Sequence, residues 1–172
     1  MPPADLFTSS TLVVLKLDIT LELNVPTRVC LPSLKVLHLK HVAYAADDSL
    51  ERLIASCPVL EDFESCNWDK IRKLTISSRT LKRLTIINFI GDDVCVFDTV
   101  INAPSLVYLR YLHHVPNGCS LTANLYSVVE ATIGSLTEFF KGISNVRSLH
   151  LVNDAVELNL LTFSLLYFLA LE

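Results

Sequence analysis

The sequence predicts an α/β solenoid, in which short parallel strands stack along the chain and a few helices cover the opposite, convex side. Three observations predict it. The spacing Leu34-x-x-Leu37-x-Leu39 recurs along the chain, an acidic segment of helical character follows it at Asp47 to Cys57, and the leucine spacing begins again after Pro58. One strand and one helix cannot bury both of their apolar faces alone, so such a unit must stack on copies of itself. This is the pattern of a leucine-rich repeat.

The leucine block predicts a strand. Successive side chains of a strand point to opposite faces, so Leu37 and Leu39 share the inward face and the residues between and beside them point outward. The same alternation can be read in each copy of the block.

The segment from Asp48 to Ser56 predicts a helix. Its apolar residues recur at i, i+3, i+4 and i+7, which is one face of a helix; they are Leu50, Leu53, Ile54 and Cys57. Asp48 and Glu51 have the spacing of a capping box. Pro58 ends the helix, because a proline disfavours helical geometry at the residue before it. A further short turn is predicted at Phe97 to Ile101.

Nine segments match the strand pattern, and the middle inward residue of each serves as its marker. The markers are Leu15, Leu37, Phe63, Leu74, Leu84, Leu109, Ala131, Leu149 and Leu169. They are separated by 22, 26, 11, 10, 25, 22, 18 and 20 residues, and most of these steps are close to one leucine-rich repeat. The two short steps leave no room for a helix. Ile71 to Ile86 is therefore predicted either as minimal coil between stacked strands or as a β-hairpin.

Composition indicates one folded domain over residues 1–172. A hydrophobic content of 51% with only 19% charged residues excludes a disordered chain. The net charge of −4, without a basic run, gives no reason to expect nucleic acid or an anionic membrane as partner. The apolar stretch Leu158 to Leu171 is interrupted by polar residues and is shorter than the roughly 20 residues of a membrane helix.

The five cysteines indicate the compartment. They include no C-x-x-C pair, and no secretory signal is recognisable at the start of the chain. Free thiols of this kind are typical of a reducing environment. We therefore expect the protein in the cytosol or nucleus.

Catalytic and metal sites are not predicted. A catalytic site needs a nucleophile or base with an orienting partner, and no plausible set is found, so the chain is not expected to be an enzyme. His113 and His114 with Cys119 are the alternative, as metal ligands. Adjacent histidines on a strand point to opposite faces, and no second ligand pair follows at zinc spacing. No metal and no cofactor are therefore expected.

The outward strand residues are the candidates for function, because stacked strands place them on one continuous concave surface. The candidate protein-binding residues are Lys16, His38, Lys40, Glu64, Lys73, Arg83, Tyr108, Arg110 and His150. Cations mixed with acids and an aromatic residue suit a protein epitope better than a phosphate backbone. Tyr108 and Arg110 are the predicted anchors, since both residue types are enriched at binding hot spots. The alternative is that each residue is simply solvated.

A family resemblance is carried by the order of six phrases. They are LFTSSTLVVLKLD (Leu6 to Asp18), LPSLKVLHL (Leu31 to Leu39), DDSLERLIASCPVLEDF (Asp47 to Phe63), IRKLTISSRTLKRLTI (Ile71 to Ile86), NAPSLVYLRY (Asn102 to Tyr111) and FFKGISNVRSLHL (Phe139 to Leu151). In this order the chain resembles the plant F-box/FBD/LRR-repeat proteins over essentially its whole length. The acidic helix that runs into SCPVLEDF is the most specific part.

The resemblance implies a role as substrate receptor of an SCF-type ubiquitin ligase, in which an F-box binds a Skp1-like adaptor and the repeats hold the target protein. No F-box pattern is recognised before Leu6 and no FBD pattern after Leu171. The chain is therefore expected to be a repeat region truncated at both ends, with the adaptor as partner only of a longer product. The alternatives are a scaffold or decoy that binds targets without the ligase, a receptor for a small molecule, and a fragment without function.

Overall fold

The computed structural model describes residues 4–66, 73–88, 98–113, 121–134 and 145–152. Within these ranges the chain forms a 3-10 helix at Ala4–Thr8, one α-helix, α1 (Ser49–Ala55), and ten strands. The strands are β1 (Val14–Leu23), β2 (Val36–Tyr44), β3 (Asp62–Cys66), β4 (Lys73–Ser77), β5 (Arg83–Asn88), β6 (Asp98–Asn102), β7 (Tyr108–His113), β8 (Leu121–Asn124), β9 (Glu130–Ile133) and β10 (Ser148–Leu151).

The strands form two sheets. The first sheet has seven strands in the order β1-β2-β3-β5-β7-β9-β10, and the second has three in the order β4-β6-β8. All the strand pairs in the described part of the chain are parallel. Buried residues of both sheets belong to one hydrophobic cluster, which lies between them. The predicted fold class, an α/β solenoid of parallel strands with few helices, is confirmed.

The two short steps of the repeat are explained by β4. This strand belongs to the second sheet, while β3 pairs directly with β5 in the first. The hairpin alternative for Ile71 to Ile86 is therefore wrong, because β4 pairs in parallel with β6 and pairs with neither β3 nor β5. Without Leu74, the markers of the first sheet are separated by 22, 26, 21, 25, 22 and 18 residues.

The convex side contains strands where the repeat pattern led us to expect helices or turns. Helix α1 contacts β4, and β6 and β8 continue the layer. The predicted turn at Phe97 to Ile101 is wrong, since Asp98–Asn102 is strand β6. Its Thr-Val-Ile centre consists of β-branched residues, which fit a pleated sheet well. Thr99 and Ile101 point into the core and are buried.

Helix α1 lies where it was predicted, with Leu50, Leu53 and Ile54 buried. Its predicted capping box does not form. Asp48 occupies the N-cap position without a side-chain capping hydrogen bond, and its carboxylate instead accepts a hydrogen bond from Arg52 Nη1 at 3.0 Å. The donor to the Asp48 carboxylate is therefore Arg52, four residues later, and not a backbone N–H of the first helical turn.

Four buried positions recur in four turns of the first sheet, at six and three residues before the marker, at the marker, and two residues after it. In the turn of β2 these residues are Leu31, Leu34, Leu37 and Leu39, and all are buried. The same four positions are buried in the turns of β3, β7 and β9. In these four turns the core therefore consists of equivalent layers, each four side chains wide.

A ladder of polar side chains connects successive turns, at four residues before the marker. We call this the corner ladder, and each member donates a hydrogen bond to a carbonyl of the preceding turn. The bonds are Ser33 Oγ to Ser10 O (2.7 Å), Thr80 Oγ1 to Pro58 O (3.3 Å), Ser127 Oγ to Pro104 O (2.6 Å) and Asn145 Nδ2 to Tyr126 O (2.7 Å). Thr80 donates to Leu60 O as well, at 2.7 Å.

The corner ladder offers a matched pair of variants. We expect Ser127→Ala to lower the free energy of unfolding by about 0.5–1.5 kcal/mol, the usual net value of one hydrogen bond. Ser105 has the same position in its turn, and in the described part of the chain its hydroxyl makes no hydrogen bond. Ser105→Ala should therefore leave stability nearly unchanged. Urea unfolding of both variants measures the difference, and equal losses would show that the ladder bond contributes nothing.

Some predictions fall outside the described residues. The strand predicted around Leu169, together with His114 and Cys119, lies there. Of the helices in the described ranges, none is long and apolar enough to cross a membrane.

Candidate protein-binding face

The outer face of the first sheet consists of two rows of side chains, set by the strand register. The first row is Val14, Val36, Asp62, Arg83, Tyr108, Glu130 and Ser148. The second row is Lys16, His38, Glu64, Thr85, Arg110, Thr132 and His150. In-register parallel pairing places members of one row about 4.8 Å apart from strand to strand. Together the two rows form a continuous surface seven strands wide.

Eight of the nine candidate residues lie on this sheet. Lys16 and His150 are at the two ends of the second row and are exposed. Lys40 follows two residues after His38 on β2 and therefore lies just beyond the second row, opposite Cys66 of β3. Placing Lys73 on this surface was wrong. It begins β4 and pairs with Asp98 in the second sheet, so it belongs to the opposite side of the solenoid.

The N-terminal half of the outer face is a cluster of charged and polar side chains around His38. Its ring lies between two carboxylates of β3, with Nε2 3.5 Å from Asp62 Oδ1 and Nδ1 3.4 Å from Glu64 Oε2. Lys40 Nζ is 3.0 Å from the other oxygen of Glu64. Lys40 of β2 and Glu64 of β3 therefore compensate each other's charge within the protein.

Three shifted pKa values belong to this cluster. Burial alone would raise the pKa of Glu64, but hydrogen bonds from Lys40 and Cys66, with the charge of Lys40, hold it below the usual value. The same hydrogen bond raises the pKa of Lys40. Burial, followed by the hydrogen bond to Glu64, raises the pKa of Cys66 to about 12, so its thiol stays protonated and unreactive at neutral pH.

The Glu64 ion pair predicts a pH dependence of stability. Its folded-state pKa lies below the ordinary 4.5, so the folded protein binds fewer protons than the unfolded chain in this range. The stabilisation is present above pH 4.5 and is lost as the pH falls through the folded-state pKa. Glu64→Gln should therefore flatten the acid limb of a plot of unfolding free energy against pH. The exposed Glu130→Gln is the control, and the prediction fails if both variants keep the wild-type limb.

Sequence reasoning missed a second cluster, just before the strands. Glu61 lies between Lys35 and Lys82, with Nζ to carboxylate distances of 3.6 Å and 3.0 Å. The hydrogen bond and charge of Lys82 lower the pKa of Glu61. The sequence does contain a signal for this cluster. Its three residues, of alternating charge, each stand two positions before the marker of one of three consecutive turns. Since these side chains are exposed to solvent, which screens their charges, the two pairs contribute little to stability.

The C-terminal half of the outer face is organised differently. The guanidinium of Arg83 lies over the ring of Tyr108, 4.4 Å from its centroid, and its Nε is 4.0 Å from Asp62 Oδ2. Arg110 stands between Thr85 and Thr132 in the second row and is exposed. In the described part of the chain it forms no ion pair, although its charge acts on the Cys66 thiol from two strands away. Arg110 is thus available to an external group.

Metal binding receives no support from the side chains that have been placed. The described ranges contain no group of three or more potential metal ligands. His38, Asp62 and Glu64 come closest, but the two carboxylates face different ring nitrogens. One ion cannot use both nitrogens of a single imidazole.

A comparison with protein families gives the identity of the repeat. A family model described as "FBD-associated F-box protein At5g56370, LRR repeats" matches residues 1–132. The chain belongs to this family of FBD-associated F-box leucine-rich-repeat proteins. Within the described residues the match covers β1 to β8 and ends inside β9, so most of the two-sheet solenoid and of its outer face lies inside the family region.

Individual relatives extend this picture. Putative FBD-associated F-box protein At3g50710 of Arabidopsis thaliana is 40% identical over 134 residues, which cover 76% of this chain and 31% of that protein. F-box protein At4g09920 of the same plant is 37% identical over 162 residues, covering 88% and 50%. F-box/FBD/LRR-repeat protein At4g26340 is 38% identical over 157 residues, covering 87% and 36%. The chain thus spans half or less of each of these relatives. No solved structure matches it.

Proposed function

We propose that this chain is the target-binding repeat region of a substrate receptor for an SCF-type ubiquitin ligase. Two observations support the proposal. The chain belongs to a family named for its F-box, and its first sheet presents two uninterrupted rows of mostly polar side chains that the core does not use. Leucine-rich-repeat solenoids use such extended surfaces for binding.

In this proposal the outer face holds a target protein and performs no chemistry. The cations, acids and aromatic ring on the face suit the polar, hydrogen-bonded contacts of a protein interface. Ubiquitin transfer is the task of the ligase to which the receptor delivers its target. A Skp1-like adaptor is the partner that an F-box in a longer product would recruit, in the cytosol or nucleus.

The experiment compares two products in a pull-down with a Skp1-like adaptor. One is this chain and the other is the same chain extended upstream in its own transcript. We expect only the extended product to retain the adaptor. A further version of the extended product, Arg83→Glu with Tyr108→Ala, should still retain the adaptor but lose its target, because both residues lie on the outer face, whereas the adaptor would be bound by the F-box.

The outcomes separate the two classes of function. If the extended product retains the adaptor, the ligase-receptor proposal is supported and this chain is its target-binding part. If neither product retains it while both still bind the same cellular protein, the chain is a scaffold or decoy and the ligase role is wrong.

A further inference from the structure

The two halves of the outer face differ in how their charges are used. On β2 and β3 Lys40 and Glu64 form an ion pair at 3.0 Å, and the Asp62 carboxylate lies 3.5 Å from the His38 ring and 4.0 Å from Arg83 Nε. An incoming charged group would have to break these pairs before it could form its own. From β5 to β10 the rows contain Arg83, Arg110 and Glu130, and the described residues show no close ion pair among these three. These three side chains together carry a charge of +1, and in the described part of the chain the one ion pair that reaches them is the 4.0 Å contact of Arg83 with Asp62.

The side chain of Arg83 is held in place by the ring of Tyr108. The guanidinium is held 4.4 Å above the centre of the ring, so it loses less side-chain freedom when it binds a ligand than an unsupported arginine would. Its contact with Asp62 is long, at 4.0 Å, which leaves its N–H groups largely available. Arg110 follows two residues after Tyr108 on the same strand and therefore points to the same side.

Two exposed valines, the Val107–Val129 strip, stand one residue before Tyr108 and Glu130 in the chain. Val107 and Val129 directly precede β7 and β9, and they are neighbours because Val129 N donates a hydrogen bond to Val107 O. Val107 is 46% and Val129 is 38% exposed, which is a large fraction for an apolar residue directly before a strand. Two arginines, an aromatic ring and an exposed valine pair thus lie on, or directly before, the three adjacent strands β5, β7 and β9.

We propose that this area, the Arg83–Tyr108–Arg110 patch with the Val107–Val129 strip, docks an acidic peptide segment of the target that carries apolar residues beside its carboxylates. The inference rests on the proposed function and specifies its partner. Charge complementarity selects the occupant, since planar guanidinium groups bind carboxylates through two parallel hydrogen bonds. The valine strip supplies apolar contact at the rim, and Glu130 on β9 disfavours acidic residues on that side of the patch.

Fluorescence anisotropy with the full chain tests the inference. The probe is a fluorescein-labelled peptide in which glutamates alternate with leucine and tyrosine, and its twin has glutamine in place of every glutamate. The acidic probe should bind at least about tenfold more tightly than the twin. Arg110→Gln should weaken acidic-probe binding about tenfold, as expected for one charge-assisted contact at a hot spot. Lys16→Gln is the matched control, an exposed cation of the same row at the far end, and should change binding by less than about twofold.

Circular dichroism of both variants separates loss of binding from loss of folding. The inference is overturned if probe and twin bind equally, if neither binds, or if Arg110→Gln and Lys16→Gln have the same effect. It is overturned too if labelled single-stranded RNA binds as tightly as the acidic probe, because the patch would then be a general anion site. The adaptor pull-down is independent of these results. Loss of probe binding with the adaptor retained would reject the acidic partner and leave the ligase role standing.

Discussion

Replacing Phe63 by alanine is expected to lower the free energy of unfolding by about 3–5 kcal/mol, the usual cost of truncating a buried phenylalanine. Phe63 is the marker of β3, it is fully buried, and it is one of the bulkiest residues of the core. Its strand lies between β2 and β5, so the cavity would form between layers that neighbours on both sides hold in place. The layer could not collapse around it without moving two other turns.

Urea unfolding followed by circular dichroism measures the loss. Tyr126→Ala is the control, because it also removes an aromatic ring but at a position that is 61% exposed. This control should change stability by no more than about 0.5 kcal/mol. A similar loss in both variants would mean that the solenoid is not stabilised by its layered core.

Replacing Tyr111 by phenylalanine is expected to cost about 1–3 kcal/mol, because it leaves a buried hydroxyl without its partner. Tyr111 of β7 and Thr99 of β6 come from different sheets, and their hydroxyl oxygens are 3.2 Å apart in the core. Thr99 is itself fully buried, so water cannot replace the lost group without entering the core.

A double-mutant cycle isolates this contact. Thr99→Val in the Tyr111→Phe background removes the stranded hydroxyl, so the double variant should be at least as stable as Tyr111→Phe alone. Equilibrium unfolding of the four proteins gives the coupling energy. Additive losses would show that the two hydroxyls do not interact in solution.

The inward half of each strand could be predicted from the sequence. The alternation of Leu37 and Leu39 with outward neighbours is a period-two signal that can be read from the local sequence. The same spacing of inward residues recurs in each turn of the first sheet. The helix at Ser49–Ala55 was predictable for the same reason, since its apolar spacing is unambiguous.

The convex side could not be predicted in the same way. The segment Ile71-x-x-Leu74-x-Ile76 has the same spacing as a strand of the first sheet, but its residues pair in the second. Short β-branched segments such as Asp98–Asn102 are equally ambiguous, because only their neighbours decide between strand and turn. The misplacement of Lys73 follows directly from this ambiguity.

The candidate face was predictable as a set of residues and not as a set of contacts. Alternation alone places Arg83, Tyr108 and Arg110 on one side of the sheet. Which charges neutralise each other depends on strand register, and the pairing of Asp62 with Arg83 across β3 and β5 becomes visible only when β4 is removed from the order. The stacking of Arg83 on Tyr108 depends on the same register.

The unequal spacing of the markers has a consequence for insertions and deletions. The steps vary from 18 to 26 residues, yet the window from six residues before each marker to two after it keeps its buried positions in the turns of β2, β3, β7 and β9. Variation in length is therefore accommodated outside this window. Removing one residue inside it would exchange the inward and outward side chains of a whole strand. The exposed connection at Ala45 to Asp48, within the longest step, is accordingly the place where the chain can accept an added segment or label without disturbing either row.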